Sequence, residues 1–201
     1  MDISQRNELV ILTSRQCLDG QGRGIMAING RYATADAVNM MVRYARGIVS
    51  IALSPTRAFR LGLAPMARVQ PRGDNPQYLA SIEALACSET GISAQERAMT
   101  VLAASNPDAC SSDLVSPGHV IPMLVPDPFR KDATLPEVAL SMISRRDGQD
   151  VVMWCDILDE VGDVASMDYC RKLAATLELR IHSVDNRENL VDSSLFDWQL
   201  S

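Results

Sequence analysis

Two histidines stand among 201 residues, so the place of each carries information. His119 follows Pro117-Gly118, a turn that sets an imidazole at a loop end, where it can polarise a carbonyl or shuttle a proton near neutral pH. His182 lies inside a short apolar run, Arg180 to Val184, and reads as structural or surface. Cys17 offers a thiol in a loop, a possible exposed nucleophile, but the sequence identifies no base beside it. Gly20, Gly22 and Gly24 alternate in that same loop. They do not make a phosphate-binding fingerprint, because Ile25 to Ile28 read as strand where such a fingerprint needs a helix; a flexible hairpin connection is the simpler reading. Ser93 and Glu96 have capping-box spacing, which helix initiation alone explains.

The elements that must position these groups follow from local pattern. Leu9 to Thr13 is an apolar, β-branched run and predicts a strand, with a loop from Ser14 to Gly24 before the next. Thr34 is an N-cap candidate for a helix to about Ala45, with Ala37, Val38, Met41, Val42 and Ala45 on one face. Ile48 to Leu53 reads as a buried strand, and Ser54-Pro55 opens a helix that Gly62 closes. Residues 64 to 77 carry the composition of a loop, and Tyr78 to Ala84 that of a weaker strand. A helix follows Ser93 to about Ala104. Residues 106 to 117 read as loop, and Val120 to Val125 as a proline-interrupted strand at a sheet edge. Thr134 caps a helix to about Arg145, Val151 to Ile157 is a strand, and Ser166 caps a helix whose Tyr169, Cys170, Leu173, Ala174 and Leu177 point inward. Arg180 to Val184 is the last strand, Asp185 with Glu188 caps a short final helix, and Phe196 and Trp198 in an apolar tail (190–201) call for a docking surface. Strands and helices intersperse without strict alternation. The fold class expected is α+β, one domain over 1–201 with a mixed sheet covered by helices.

Composition narrows the function. At 47% hydrophobic the chain can bury a normal core, and a net charge of −6 leaves no basic stripe for nucleic acid. Seventeen of nineteen basic residues are arginine, which suits small anion pockets. The five cysteines are odd in number and lack a CxxC pair, so neither a disulfide framework nor a zinc site is expected. Met1-Asp2-Ile3-Ser4 begins no signal-peptide pattern and no apolar run reaches membrane-spanning length; a cytoplasmic protein is expected.

Several blocks in order resemble one family. Thr90-Gly91-Ile92-Ser93 with Glu96-Arg97, and Ser116-Pro117-Gly118-His119, resemble the Thr-Thr-Gly-x-Ser-x-x-Asp-Arg and Arg-Pro-Gly-His blocks of 3,4-dihydroxy-2-butanone 4-phosphate synthases. Arg43-Tyr44-Ala45-Arg46-Gly47 stands where Arg-His-Gly-Ser-Gly is usual, and Leu61-Gly62-Leu63-Ala64-Pro65-Met66 matches a Leu-x-Leu-Pro-x-Met turn. Phe129-Arg130-Lys131-Asp132-Ala133-Thr134 takes the place of x-Arg-Gly-Gly-His-Thr, and Trp154-Cys155-Asp156 that of x-Cys-Glu. The resemblance runs from about Leu9 to Asn189.

It implies an α/β/α sandwich and a homodimer in which the histidine of one subunit reaches the neighbour's site. It also implies an enzyme of the lyase type that excises formate from ribulose 5-phosphate with the help of magnesium. By that resemblance His119 and Asp156 are the catalytic pair, and Arg130, Lys131, Thr134, Thr90 and Arg97 face the sugar phosphate. Two departures bear on the metal. The family's metal-binding histidine is Ala133 here, and its acidic loop becomes Arg15-Gln16-Cys17-Leu18-Asp19-Gly20-Gln21-Gly22-Arg23, with one carboxylate. Hard divalent ions want several oxygen ligands, so no metal is predicted; Arg15, Cys17, Asp19 and Arg23 form a candidate new active-site loop, in which a cation can meet the charge of an enediolate. The expected function is enolisation and elimination on ribulose 5-phosphate or a related phosphorylated carbonyl compound, without a metal. Two alternatives remain open: a non-catalytic paralogue that binds a sugar phosphate or a partner subunit, and a true synthase with an atypical metal site.

Overall fold

The computed structural model describes residues 9–15, 22–66, 77–127 and 133–184. The first apolar run forms β1 (Val10–Ser14), and the run after the glycine loop forms β2 (Arg23–Asn29). They pair antiparallel, Val10 opposite Ala27 and Ser14 opposite Arg23, so the loop between them is a hairpin connection. All of β1 is buried, which requires cover on both faces of the sheet.

Six further strands complete the sheet: β3 (Ser50–Leu53), β4 (Gln77–Tyr78), β5 (Ile82–Ala84), β6 (Leu114–Leu124), β7 (Val151–Asp156) and β8 (Arg180–Ser183). Their order is β4-β6-β3-β7-β2-β1-β8, with β5 also on β6. β1–β8 and β3–β6 are parallel and the other pairs antiparallel, so the sheet is mixed as expected.

The helices are α1 (Ala35–Met40), α2 (Pro55–Arg60), α3 (Ala94–Ser105), α4 (Leu135–Asp147) and α5 (Met167–Leu177). Each begins at the residue the sequence nominates. Thr34, Ser54, Ser93 and Ser166 accept from the N–H three residues on, at 3.1, 3.1, 3.1 and 3.2 Å, and Thr134 sits in a capping box with Glu137. Such caps stabilise a helix by about 1 kcal/mol each. Helices α1, α2, α3 and α5 build one core with Ile11, Met26, Ile51, Met153 and Cys155, while α4 alone builds the other with Leu12, Ile25, Ala52, Met123 and Trp154. The alternation of β7, Met153 to one side and Trp154 to the other, is what makes three layers. No helix among the described residues is long and apolar enough to cross a membrane.

Four expectations need correction. The helix from Thr34 does not stay α-helical to Ala45: Met41–Ala45 is a π-helical turn, closed by Arg46 N on Met41 O at 2.9 Å, with Arg46 at φ 64°. The wider turn carries Arg46 to the end of β7, where it bridges Ile157 and its Nη1 meets Tyr169 Oη at 2.7 Å. The proline-bearing strand begins at Leu114, after a 3-10 turn (Ser111–Asp113), and is interior, between β3 and the short β4 and β5. It tolerates Pro122 because Leu79 N donates to Pro122 O at 2.8 Å; the proline nitrogen faces that same side, where pairing is only two residues long. The weak strand at 78–84 is two strands, broken at residues 79–81. The strand read from Ile48 starts at Ser50. The final helix at Asp185–Glu188 and the tail with Phe196 and Trp198 lie outside the described residues.

Candidate active site

Asp156 ends β7 opposite Ile25 of β2. Ile25 faces the core under α4, and paired residues share a face, so Asp156 points there too. Arg23, two residues before Ile25, returns to the same face and becomes a diagonal neighbour of the carboxylate. Tyr78 of β4 stands opposite Met123, again on the α4 side. The three groups feel one another. Burial pushes the Asp156 carboxyl above its ordinary value while Arg23 pulls it back down. Burial likewise raises the Tyr78 phenol, Asp156 adds to the rise, and Arg23 opposes it. A carboxylate with raised proton affinity is a better base, and a guanidinium beside it is a permanent positive charge for a developing anion.

The next residue of β7 faces the other way. Cys155 lies in the opposite core, where burial foremost, and then Asp156, push its thiol up to about 12, so it is no nucleophile near neutrality. Gly47 presses on this strand end: a Cβ there would lie 2.5 Å from Asp156 O and 3.1 Å from Cys155 Sγ. The glycine after the π-turn is what lets the chain pass so near the backbone of Asp156. Arg97 of α3 is on the Cys155 side. It is partly buried, its charge acts on that thiol, and its Nε has no hydrogen-bond partner among the described residues.

The Thr90–Ser93 block turns around Glu96, which is 6% exposed. The Glu96 carboxylate accepts from Glu89 N at 2.8 Å, Gly91 N at 3.1 Å and Ser93 Oγ at 3.1 Å. These donors, Glu89 N foremost, hold its proton affinity below the ordinary carboxylate range. Glu96 is therefore a clamp on the turn, which explains why an acid is needed there. Thr90 is exposed on that turn. Beneath it lies Glu83 of β5, whose Oε2 is 3.5 Å from His119 Nδ1. The two residues predicted as catalytic thus have different neighbours: Asp156 has Arg23 and Tyr78, and His119 has Glu83, with β3 standing between their strands.

Thr134 donates its Oγ1–H to Glu137 Oε2 at 2.8 Å and starts α4 in a capping box; with Pro136 in the first turn, the Leu135 N–H is the one donor there that the cap leaves over. Ala133 is buried in the α4-side core. Arg15 is exposed at the end of β1. Cys17, Asp19, Arg130, Lys131 and Asp132 lie outside the described residues. Among the described residues no three His, Cys, Asp or Glu side chains gather. At the end of β7 the described groups are the Asp156 carboxylate, the Arg23 guanidinium and the Tyr78 phenol. Tyr78 and Glu83 were not singled out from sequence. Glu83 had one faint signal, a polar residue between Ile82 and Ala84 in an alternating run; Tyr78 had none.

Comparison with known proteins agrees with this architecture. Residues 3–187 match the family model described as 3,4-dihydroxy-2-butanone 4-phosphate synthase. The chain is 31% identical over 184 residues to a Pseudomonas aeruginosa protein of that name, covering 91% of this chain and 50% of the relative. It is 28% identical over 201 residues to the riboflavin biosynthesis protein RibBA of Aquifex aeolicus, covering 95% of this chain and 49% of that one. The chain thus spans about half the length of these relatives. A solved 3,4-dihydroxy-2-butanone 4-phosphate synthase in complex with two magnesium ions shares the fold, with TM-score 0.83 and 22% identity over 96% of this chain and 95% of that one. The chain belongs to the 3,4-dihydroxy-2-butanone 4-phosphate synthase family.

Proposed function

We propose that this protein is a lyase-type enzyme acting on ribulose 5-phosphate or a closely related phosphorylated ketose, by enolisation followed by elimination. The observation that carries the reading is the half-buried Asp156 carboxylate with Arg23 beside it. Asp156 takes the proton from the carbon next to the ketone, the electron pair moves onto the ketone oxygen, and Arg23 meets the resulting enediolate. Collapse of the enediolate then expels the hydroxyl of the next carbon, which leaves as water once His119 hands it the proton it took earlier from a substrate hydroxyl. Thr134 and the neighbouring Arg130 and Lys131 hold the phosphate, and Thr90 and Arg97 border the sugar. The protein works as a cytoplasmic homodimer, with His119 of one subunit completing the site around the other's Asp156; the separate surroundings of the two residues support that arrangement.

In this reading no divalent metal takes part, and Arg23 with Lys131 supplies the charge. A second reading, a complete synthase that uses magnesium, is favoured by the 31% identity to a relative of that name. Ribulose 5-phosphate turnover followed by NMR, once with magnesium and once with chelator, separates the two. Ketose consumption without formate, indifferent to chelator and lost in Arg23→Ala, supports the metal-free lyase. Magnesium-dependent formate overturns it in favour of the synthase. Saturable binding of the ketose without turnover would mean a protein that binds the sugar phosphate and does no chemistry on it.

A further inference from the structure

Two motif blocks far apart in sequence close on one residue that belongs to neither. Gly91 has φ +73°, and a Cβ on it would lie 1.9 Å from Glu83 Oε2. A Cβ on Gly118 would lie 2.2 Å from the Ile82 carbonyl and 2.5 Å from Glu83 N. Both glycines therefore exist at their positions so that backbone can approach residue 83. The ladder between β5 and β6 is interrupted at the same point: Ile82 pairs with Val120 while Glu83 pairs with Val115, so residues 116–119 bulge out of it. A bulge re-aims side chains, and here it carries His119 over the carboxylate. Ser116 Oγ on Ser81 O at 2.8 Å and Gly118 N on Ser81 Oγ at 3.2 Å pin the bulge to β5.

We propose that Glu83 is the positioning residue of His119: its carboxylate accepts the Nδ1–H of the imidazole, fixes the ring's rotation and tautomer, and leaves Nε2 as the working nitrogen. Burial sorts the two roles. The Glu83 side chain is 13% exposed and the His119 side chain 41%, so the acid is the support and the imidazole the outward group. An ionised carboxylate can only accept, which dictates that the nitrogen facing it carries a hydrogen. The neutral ring then presents an Nε2 lone pair, able to take a proton from a substrate hydroxyl and return it later, with no bond made to the imidazole and no electron transferred. Among the described residues Glu83 and Glu96 both act on the Cys87 thiol, and Glu96 is engaged by the 89–93 turn. The inference rests on the catalytic part given to His119 above, but its first test does not.

Ring nitrogen-15 NMR of the full chain, with His182→Asn to assign the two histidines, reads the His119 tautomer directly. The wild type is expected as the Nδ1–H form. Glu83→Met, similar in size with no acceptor, is expected to revert to the Nε2–H form common for free histidine, and Glu83→Gln, which keeps an acceptor oxygen, to restore Nδ1–H. An Nε2–H wild type overturns the proposal whatever the variants do, so a misfolded Met variant does not shield it. In ketose turnover, Glu83→Met should lower kcat about 10²-fold with KM nearly unchanged, the size of one positioned acid–base group. In a His119→Ala background it should cost nothing further. Equal losses with and without His119 would mean a merely structural role and overturn the proposal. Should His119→Ala leave turnover intact while the tautomer behaves as stated, the catalytic assignment of His119 fails and the Glu83 pairing stands.

Discussion

Gly47→Ala tests whether the chain after the π-turn sets the position of Asp156, the base of the proposed reaction. The new Cβ would sit 2.5 Å from Asp156 O, where ordinary contact begins at 3.4 Å. Neither atom is at the end of a flexible side chain, so backbone must give by about 0.9 Å, and the Cys155 sulfur at 3.1 Å blocks part of the escape. Overpacking of this kind costs about 1–3 kcal/mol. For a chain of this size each kcal/mol lowers Tm by about 2–4 °C. The displacement also lands on Asp156 itself, and a misplacement near 1 Å costs about 100-fold in rate. Two assays on one preparation decide the matter: urea unfolding for stability and ribulose 5-phosphate consumption for rate. Gly148→Ala is the control, because Gly148 also needs care (φ +64°) but its Cβ would meet nothing within 4 Å. It should lose about 1 kcal/mol from backbone strain and no activity. A Gly47→Ala protein with wild-type stability and turnover would refute the argument that this glycine exists for the approach to β7.

Three further outcomes are expected. Asp156→Asn should abolish ketose turnover while raising stability near neutral pH. Burial lifts the folded-state carboxyl above its ordinary 3.8, so ionisation penalises the fold as pH rises from that value through the folded pKa; the variant's advantage in Tm should vanish below about pH 4, and a variant less stable than wild type at pH 7 would contradict this. Asp150→Ala should cost about 3 kcal/mol in urea unfolding, because Arg57, with 6% of its side chain exposed, would lose contacts of 3.0 and 3.1 Å to that carboxylate and keep a buried charge; a loss under about 1 kcal/mol would show that water reaches the guanidinium. Mixing His119→Ala with Asp156→Asn, each inactive alone, should restore about a quarter of wild-type turnover if sites are shared across a two-fold, since half the dimers are mixed and each has one intact site; no recovery would place both residues in one subunit's site.

What the sequence showed was local. Thr34, Ser54, Ser93, Thr134 and Ser166 were legible as caps because a cap is an i to i+3 relation, complete within four residues. The mixed sheet was legible because apolar runs of strand length fell between helical periods. β6 was not, because two prolines in eleven residues argue against an interior strand, and only the placement of β4 and β5 shows that the missing donor at Pro122 faces the short side. The grouping of Arg23, Tyr78 and Asp156 depends on strand order, to which no window of sequence has access.

The glycines show where such non-local information leaves a trace. In Arg46-Gly47, Thr90-Gly91 and Pro117-Gly118 the sequence marks that something approaches the backbone too closely for a side chain, without saying what. The structure supplies the object each time: the backbone oxygen of Asp156 for Gly47, the Glu83 carboxylate for Gly91, and the Ile82–Glu83 peptide for Gly118. One of these acids lies beside a permanent cation, Arg23, and the other beside the titratable imidazole of His119. In the proposed reading these are two different devices, a base tuned by a fixed guanidinium and an acid–base group oriented by a carboxylate. An enolisation followed by loss of a hydroxyl requires one of each. Under the proposed chemistry the glycine blocks would be supports for the two proton-transfer groups, Asp156 and His119.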